Sequence, residues 1–256
     1  MANTKLIDRR RFLTGMLQAA GLLVLAGCDN LTRSSSLPQL FSKTEWLTRW
    51  AQQTLTSKDA LAKEYTEADL SKVFPANGTS DPDTSIYKAL AQENFVAWKL
   101  EIGGLVQQPA GFSLPDIHAM PARTQITRHD CVEGWSAIGK WKGVPLREVM
   151  EQVKPLPSAK YVVFHCADID DEHIPYYESI ALEDAYHPQT IMAYEMNDAP
   201  LDIAHGAPLR LRVERQLGYK HAKYVMRIEL VESLELIGGG RGGYWEDQGY
   251  EWYAGI

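Results

Sequence analysis

From residue 96 onward, hydrophobic and polar positions alternate in short runs. "VAWKLEIGGLV" places Trp98, Leu100 and Ile102 on one face and stops at Gly103-Gly104, which predicts a half-buried strand. "KYVVFHC" is a continuous apolar run and predicts a buried strand carrying His165 and Cys166 to its C-terminal end. "APLRLRVE" and "KYVMRIELVE" alternate again. In the first, Leu209, Leu211 and Val213 face the core while Arg210 and Arg212 share the opposite face. The period changes in "PLREVMEQV", where Leu146, Val149, Met150 and Val153 form one helical stripe behind Pro145. Upstream, Trp46, Leu47, Trp50 and Leu55 recur at helical spacing, and Asp59 precedes a second short apolar set. Two short helices are predicted over 43–66. "VFPANGTSDPDTS" at 73–85 is dense in turn formers and reads as irregular backbone, a frequent place for ligand contacts. Many short strands with few helices predict one mixed α+β domain without internal repeats.

The first thirty residues follow another logic. Arg9, Arg10 and Arg11 precede Phe12, Leu13 and an apolar run that ends at Ala26, too short for a comfortable membrane span. Arg9-Arg10-x-Phe12-Leu13 resembles a twin-arginine export signal, which addresses folded proteins to a path out of the cytoplasm. Leu25-Ala26-Gly27-Cys28 resembles a lipobox, with Cys28 as the lipid-bearing residue. Asp29 resembles the signal for retention at the inner membrane, and "DNLTRSSSLPQL" reads as a polar tether. The expected organisation is a signal peptide over 1–27, a tether with short helices over 28–72, and one main domain with a C-terminal tail over 73–256. The expected location is the periplasmic side of the inner membrane.

Composition adds two constraints. A net charge of −7 argues against broad nucleic-acid binding. Against that background, 205–227 carries Arg210, Arg212, Arg215, Lys220, Lys223 and Arg227 with Glu214 as its one acid, a pattern suited to a small anion such as a phosphate or to a solvated strand face. With Cys28 assigned to lipid, two of the three cysteines remain, Cys131 and Cys166. Cys131 sits in "TRHDCVEGWSAIGKW", where Arg128 and His129 could favour its thiolate. No second Cys or His stands at zinc-ligand spacing around it. A soft metal, a nucleophile and an ordinary buried thiol remain open on these residues alone.

"RHDCVEGWS" at 128–136 closely resembles the Arg-x-Arg-Cys-Val-Glu-x-Trp-Ser segment of the sulfite oxidase-like molybdopterin-dependent oxidoreductases, nearest their periplasmic methionine-sulfoxide reductase branch. Similarity continues in order through "GVPL" at 143–146, "AKYVVF" at 159–164, "EDAYHPQT" at 183–190 and "HGAPLRLRVERQLGYK" at 205–220. The resemblance implies a strand-rich molybdopterin-binding domain of the sulfite oxidase type, with Cys131 as the protein's ligand to molybdenum. It places cofactor contacts at Asn77, Cys166, His205, Arg210, Gly218, Tyr219 and Lys220, the last toward the pterin phosphate. His205 stands where the family usually has Asn, and Cys166 where relatives often carry a hydroxyl residue. Disulfide formation between Cys131 and Cys166 would consume the metal ligand, so none is expected.

Two departures from the sulfite oxidase pattern bear on the reaction. "FPANG" resembles that group's Phe-x-Arg-Asn-His, but Ala76 replaces the arginine that helps hold sulfite. Glu133 in "CVEGW" disfavours a dianion beside the metal and could hydrogen-bond or pass protons there. The resemblance therefore implies two-electron oxygen-atom transfer, with reduction of an S-oxide or N-oxide ahead of sulfite oxidation toward a c-type cytochrome. A non-catalytic, lipid-anchored binding protein is the rival class; the thiol in "CVEGW" favours an enzyme. No haem-attachment or flavin motif occurs in the sequence, so a membrane b-type cytochrome is the expected electron donor.

Overall fold

Strand alternation resolves into two five-stranded sheets. The computed structural model describes residues 60–256. The signal over 1–27, Cys28, the tether that follows it and the helix expected around Trp46 and Trp50 lie outside the described residues. The strands are β1 (Lys99–Gly104), β2 (Ala110–Ser113), β3 (Arg123–Asp130), β4 (Ser136–Pro145), β5 (Tyr161–Ile169), β6 (Pro175–Ala181), β7 (Thr190–Met196), β8 (Ala199–Pro200), β9 (Arg210–Val213) and β10 (Val225–Val231). The helices among the described residues are short: α1 (Ser85–Gln92), α2 (Leu114–Ala119), α3 (Leu146–Val153), α4 (Leu182–Ala185) and α5 (Tyr244–Asp247).

One sheet runs β2-β1-β10-β5-β6, with β1 and β10 parallel and the other pairs antiparallel. The other runs β3-β4-β7-β8, and β9 adds to β7. The main core draws Leu100 and Ile228 from the first sheet, Met192 and Leu211 from the second, and the α3 stripe. Leu146, Val149, Met150 and Val153 are all fully buried, as their spacing predicts, each contributing about 1.5–3 kcal/mol by leaving water. Pro145 ends β4 and caps α3. Gly104, at the end of β1, has φ +77, a left-handed conformation that suits glycine there.

Two expectations change. The second helix predicted within 43–66 is absent over 60–66. Instead Tyr65 donates to the Ile126 carbonyl at 2.8 Å, Ala62 donates to Gln189 at 2.7 Å, and Glu64 bridges Thr127. These tertiary hydrogen bonds outweigh local helix preference and fasten part of the expected tether to the edge strand β3. The opposite face of β9 is not solvated either: Arg210 and Arg212 are buried, their guanidinium groups 4.9 and 4.4 Å from the Trp141 ring centroid.

Candidate active site

The β3–β4 hairpin presents Cys131. Its amide donates to the Trp135 carbonyl at 2.9 Å, and its carbonyl accepts from Gly134 at 3.0 Å. Gly134, at φ +91, supplies the left-handed residue that closes this tight loop. Cys131 is 9% exposed and forms part of the wall of a cavity of about 220 Å³. Asn77, Gly78 and Thr79 enter this wall from the irregular segment, Asp168, Ile169 and Asp170 from the end of β5, and Gly218, Tyr219, His221 and Lys223 from the turn before β10. Glu133 lines it too, accepting from the Trp135 indole at 2.9 Å.

Beneath this wall lies an excess of positive charge. Arg212 is paired with Glu214 at 2.6 Å and donates to His129 Nδ1 at 2.8 Å. That bond leaves the imidazole proton on Nε2, which has no partner among the described residues. Arg210 donates through Nη1 to the His205 carbonyl at 2.8 Å, while its Nε and Nη2 are buried without partners among the described residues. Burial and the neighbouring Arg212 draw the Arg210 guanidinium down to about 9. Burial and Arg210 lower the Lys223 amine to about 7, and burial raises Asp168 to about 6. Burial and nearby Arg212 keep His129 and His221 far below the ordinary histidine range, so both rings are neutral.

Arg210 Nε and Nη2 and His129 Nε2 are buried donors without acceptors among the described residues, which suits a bound anion. Gly218 belongs to the same cradle: a Cβ there would lie 2.4 Å from His129 Nε2, so the close approach requires glycine. Among the described residues, no three His, Cys, Asp or Glu side chains converge on a metal position. A metal beside Cys131 must bring most of its own ligands. A metal chelated by an anionic organic group meets both conditions, and the residues present therefore fit a molybdopterin.

Residues 87–235 match the family described as oxidoreductase molybdopterin binding domain. The chain belongs to this family. It is a molybdopterin-dependent oxidoreductase with the strand-rich α+β domain that the sequence predicts. Over 247 residues it is 36% identical to a protein of Azospira oryzae named as a protein-methionine-sulfoxide reductase subunit, YedZ1, spanning 96% of this chain and 87% of that one. It is 34% identical over 168 residues to the protein-methionine-sulfoxide reductase catalytic subunit MsrP of Xanthomonas axonopodis pv. citri, covering 61% of this chain and 51% of the relative. Among solved structures it is similar to the sulfane dehydrogenase SoxCD of Paracoccus pantotrophus, with a TM-score of 0.49, 22% identity, and 58% of this chain and 45% of that one covered.

Against the residues expected from the sequence, the structure brings Cys131, Glu133, Asn77, Gly218 and Tyr219 to one cavity. Arg210 lies next to Lys223 beneath it: a Cβ on Gly206 would touch both side chains, at 3.3 and 3.0 Å. Cys166 pairs with Val225 and packs on the core, and both it and Cys131 are free thiols. His205 is held away from the cavity wall by Asp202 at 2.7 Å on Nδ1 and the Phe74 carbonyl at 3.0 Å on Nε2, so neither ring nitrogen is left for a ligand.

Lys220 requires a correction. Its amine is fully buried between Glu178 and Glu246, so it is neutralised by protein carboxylates and does not face the anion floor. Lys223 lines the cavity in its place, donating to the carbonyls of Asn77 at 2.7 Å and Ala204 at 3.1 Å. The expected activation of Cys131 by Arg128 and His129 also fails. Side chains alternate along β3, so Arg128 points to solvent and pairs with Asp130 at 2.9 Å, while His129 is buried and neutral. Burial raises the Cys131 thiol above its ordinary value. A metal bound at Cys131 would supply its ionisation, since a coordinating thiol is deprotonated. Sequence reasoning missed Thr79, Asp168, His221, Lys223, Tyr244 and Trp245 in the cavity wall; only Lys223 carried a signal, as part of the basic run.

Proposed function

We propose that this oxidoreductase reduces an S-oxide of the methionine sulfoxide class by two-electron oxygen-atom transfer. The observation that carries the reading is Cys131 in the wall of a cavity whose buried floor holds partnerless cationic donors. Bound there, the molybdopterin supplies a metal centre that accepts or gives up an oxygen atom with two electrons. Cys131 contributes the protein thiolate to that metal. Lys223, Arg210 and His129 hold the anionic part of the cofactor, and Gly218 leaves room for it. Glu133, fixed by the Trp135 indole, sets a carboxylate beside the substrate and disfavours an anionic one. The loops from 77, 131 and 168 enclose the reacting end and limit water.

The names of the relatives support the S-oxide class, and the loss of arginine at Ala76 weighs against sulfite. The Arg9-Arg10 and Leu25–Cys28 motifs support export in folded form and anchoring at the periplasmic face of the inner membrane, where a membrane b-type cytochrome would deliver electrons. Steady-state assays of the molybdenum-loaded protein test the reaction. With reduced dye, methionine sulfoxide should be turned over; sulfite with ferricyanide should not. Sulfite turnover without S-oxide reduction would reverse the assignment. Replacing Arg9 and Arg10 by Lys should strand the protein in the cytoplasm, and normal export of that variant would remove the export reading.

A further inference from the structure

Two stretches of the cavity wall lie outside the family match: Asn77, Gly78 and Thr79 before it, and the C-terminal tail after it. The match ends at residue 235, yet Tyr244 and Trp245 of α5 line the cavity beside Cys131 and Glu133. This tail is built into the domain. Glu246, next in sequence to Trp245, is fully buried on Lys220, which also holds Glu178 of β6. Asp247 accepts from Tyr177 at 2.5 Å and from the Gly239 amide at 2.7 Å. Further along, the Trp252 indole donates to Ser179 at 2.8 Å, Leu217 donates to the Ala254 carbonyl at 2.9 Å, and Ile256 donates to the Arg215 carbonyl at 3.0 Å. Lys220 thus acts on the site indirectly, by fastening the tail.

What the tail offers the cavity is ring surface. Tyr244 lies against Tyr176 at 5.5 Å and edge-on to Trp245 at 5.2 Å; Trp245 stacks on Tyr250 at 5.3 Å; Tyr250 meets Tyr219 edge-on at 5.3 Å. Three of the phenol groups are engaged by protein acceptors. Tyr176 donates to the Tyr219 carbonyl at 2.7 Å, Tyr219 to the Glu251 carbonyl at 2.6 Å, and Tyr244 to Asp170 at 2.7 Å. The faces and edges left for a ligand are apolar and polarisable. Trp245 keeps 36% of its surface exposed, an unusual state for so large an apolar side chain.

We propose that Tyr244 and Trp245 are the recognition surface for the thioether end of an apolar S-oxide, receiving its S-methyl and adjacent methylene groups while the oxygen points to the metal position. The proposal rests on the S-oxide reading and adds the residues that select the substrate. Sulfur against an aromatic edge is a favourable contact, and ring surface whose Tyr176, Tyr219 and Tyr244 hydroxyls are already engaged gives a sulfite or sulfate anion little hold. The wall accepts a flexible, unbranched thioether chain and leaves the small dimethyl compound weakly held.

The test uses molybdenum-loaded wild-type, Trp245→Ala and Trp245→Phe proteins. Metal content is measured first, then kinetics with N-acetylmethionine sulfoxide and dimethyl sulfoxide, then calorimetric binding of the product N-acetylmethionine. Trp245→Ala should raise KM for N-acetylmethionine sulfoxide about tenfold and weaken product binding by about the same factor, the size expected for losing one apolar contact surface. Its kcat and molybdenum content should stay at the wild-type level, Trp245→Phe should recover most of the loss, and dimethyl sulfoxide should be affected much less. Unchanged KM and product affinity in Trp245→Ala, with wild-type protein active on the sulfoxide, would overturn the proposal alone. Fully loaded wild-type protein that reduces no S-oxide would overturn the S-oxide reading, and this proposal with it.

Discussion

Lys220 and Lys223 are near neighbours in one basic run, yet the fold gives them opposite surroundings. Lys220 is fully buried between Glu178 and Glu246, so protein carboxylates more than balance its charge. Burial still pushes Glu178 well above the ordinary carboxylate range, because two acids share one amine. Lys223 meets only carbonyl oxygens at hydrogen-bond distance, with Arg210 close by, and burial lowers it to about 7. The first cluster is balanced by carboxylates at hydrogen-bond distance; the second leaves Arg210 Nε and Nη2 without an acceptor among the described residues. A basic run therefore says nothing about ligand binding until the partners of each cation are known.

Removing Lys220 should have the largest effect on this contrast. Lys220→Met leaves two carboxylates facing each other without a cation in a dry site, and the expected loss is about 3–5 kcal/mol in chemical denaturation. The tail should loosen with it, seen as faster amide exchange around Glu246. An unchanged midpoint would mean that the triad is not what holds the tail.

Lys223 should show itself through pH. Its folded value near 7 lies below the ordinary 10.5, so between these values the folded apoprotein binds fewer protons than the unfolded chain. The stability linked to this group is complete above about pH 10.5 and is lost as pH falls through about 7. Compared with Lys223→Met, the wild-type apoprotein should lose a few kcal/mol between about pH 10 and about pH 6.5. Cofactor loading should shrink that difference, because a bound anion restores the charged amine. A pH-independent difference, or one unaffected by loading, would break the comparison. Lys223→Met should also lower molybdenum occupancy.

Arg128 should do least. It stands close to Cys131 in sequence, but its guanidinium is half exposed and paired with Asp130. Arg128→Ala should change stability by no more than about 0.5 kcal/mol and leave kcat unaltered. A large loss of activity would restore the sequence-based view that this arginine activates the thiol.

Legibility followed the range of the interactions. The α3 stripe and the alternation in β1 and β9 are local patterns with a buried face, and they stand where the periodicity places them. Helix α1 escaped notice because Tyr87 is its one buried residue, too few for a stripe. The extended segment at 60–66 depends on Gln189 and Ile126, far away in sequence, and no local propensity reports such partners. The same holds for the site. Cys131, Glu133, Asn77 and Gly218 sit in motifs legible by resemblance, whereas Tyr244 and Trp245 reach the cavity through long-range tail contacts such as Glu246 on Lys220 and Asp247 on Tyr177. The choice between Lys220 and Lys223 depended on which amine meets a carboxylate.

The central claim is that Cys131 provides the protein thiolate to the metal of a bound molybdopterin. Molybdenum X-ray absorption of the loaded protein and of Cys131→Ser tests it most directly, with metal content and S-oxide turnover measured on the same samples. The account predicts one fewer sulfur neighbour at molybdenum in Cys131→Ser, with turnover abolished. An unchanged sulfur shell together with full turnover would contradict it.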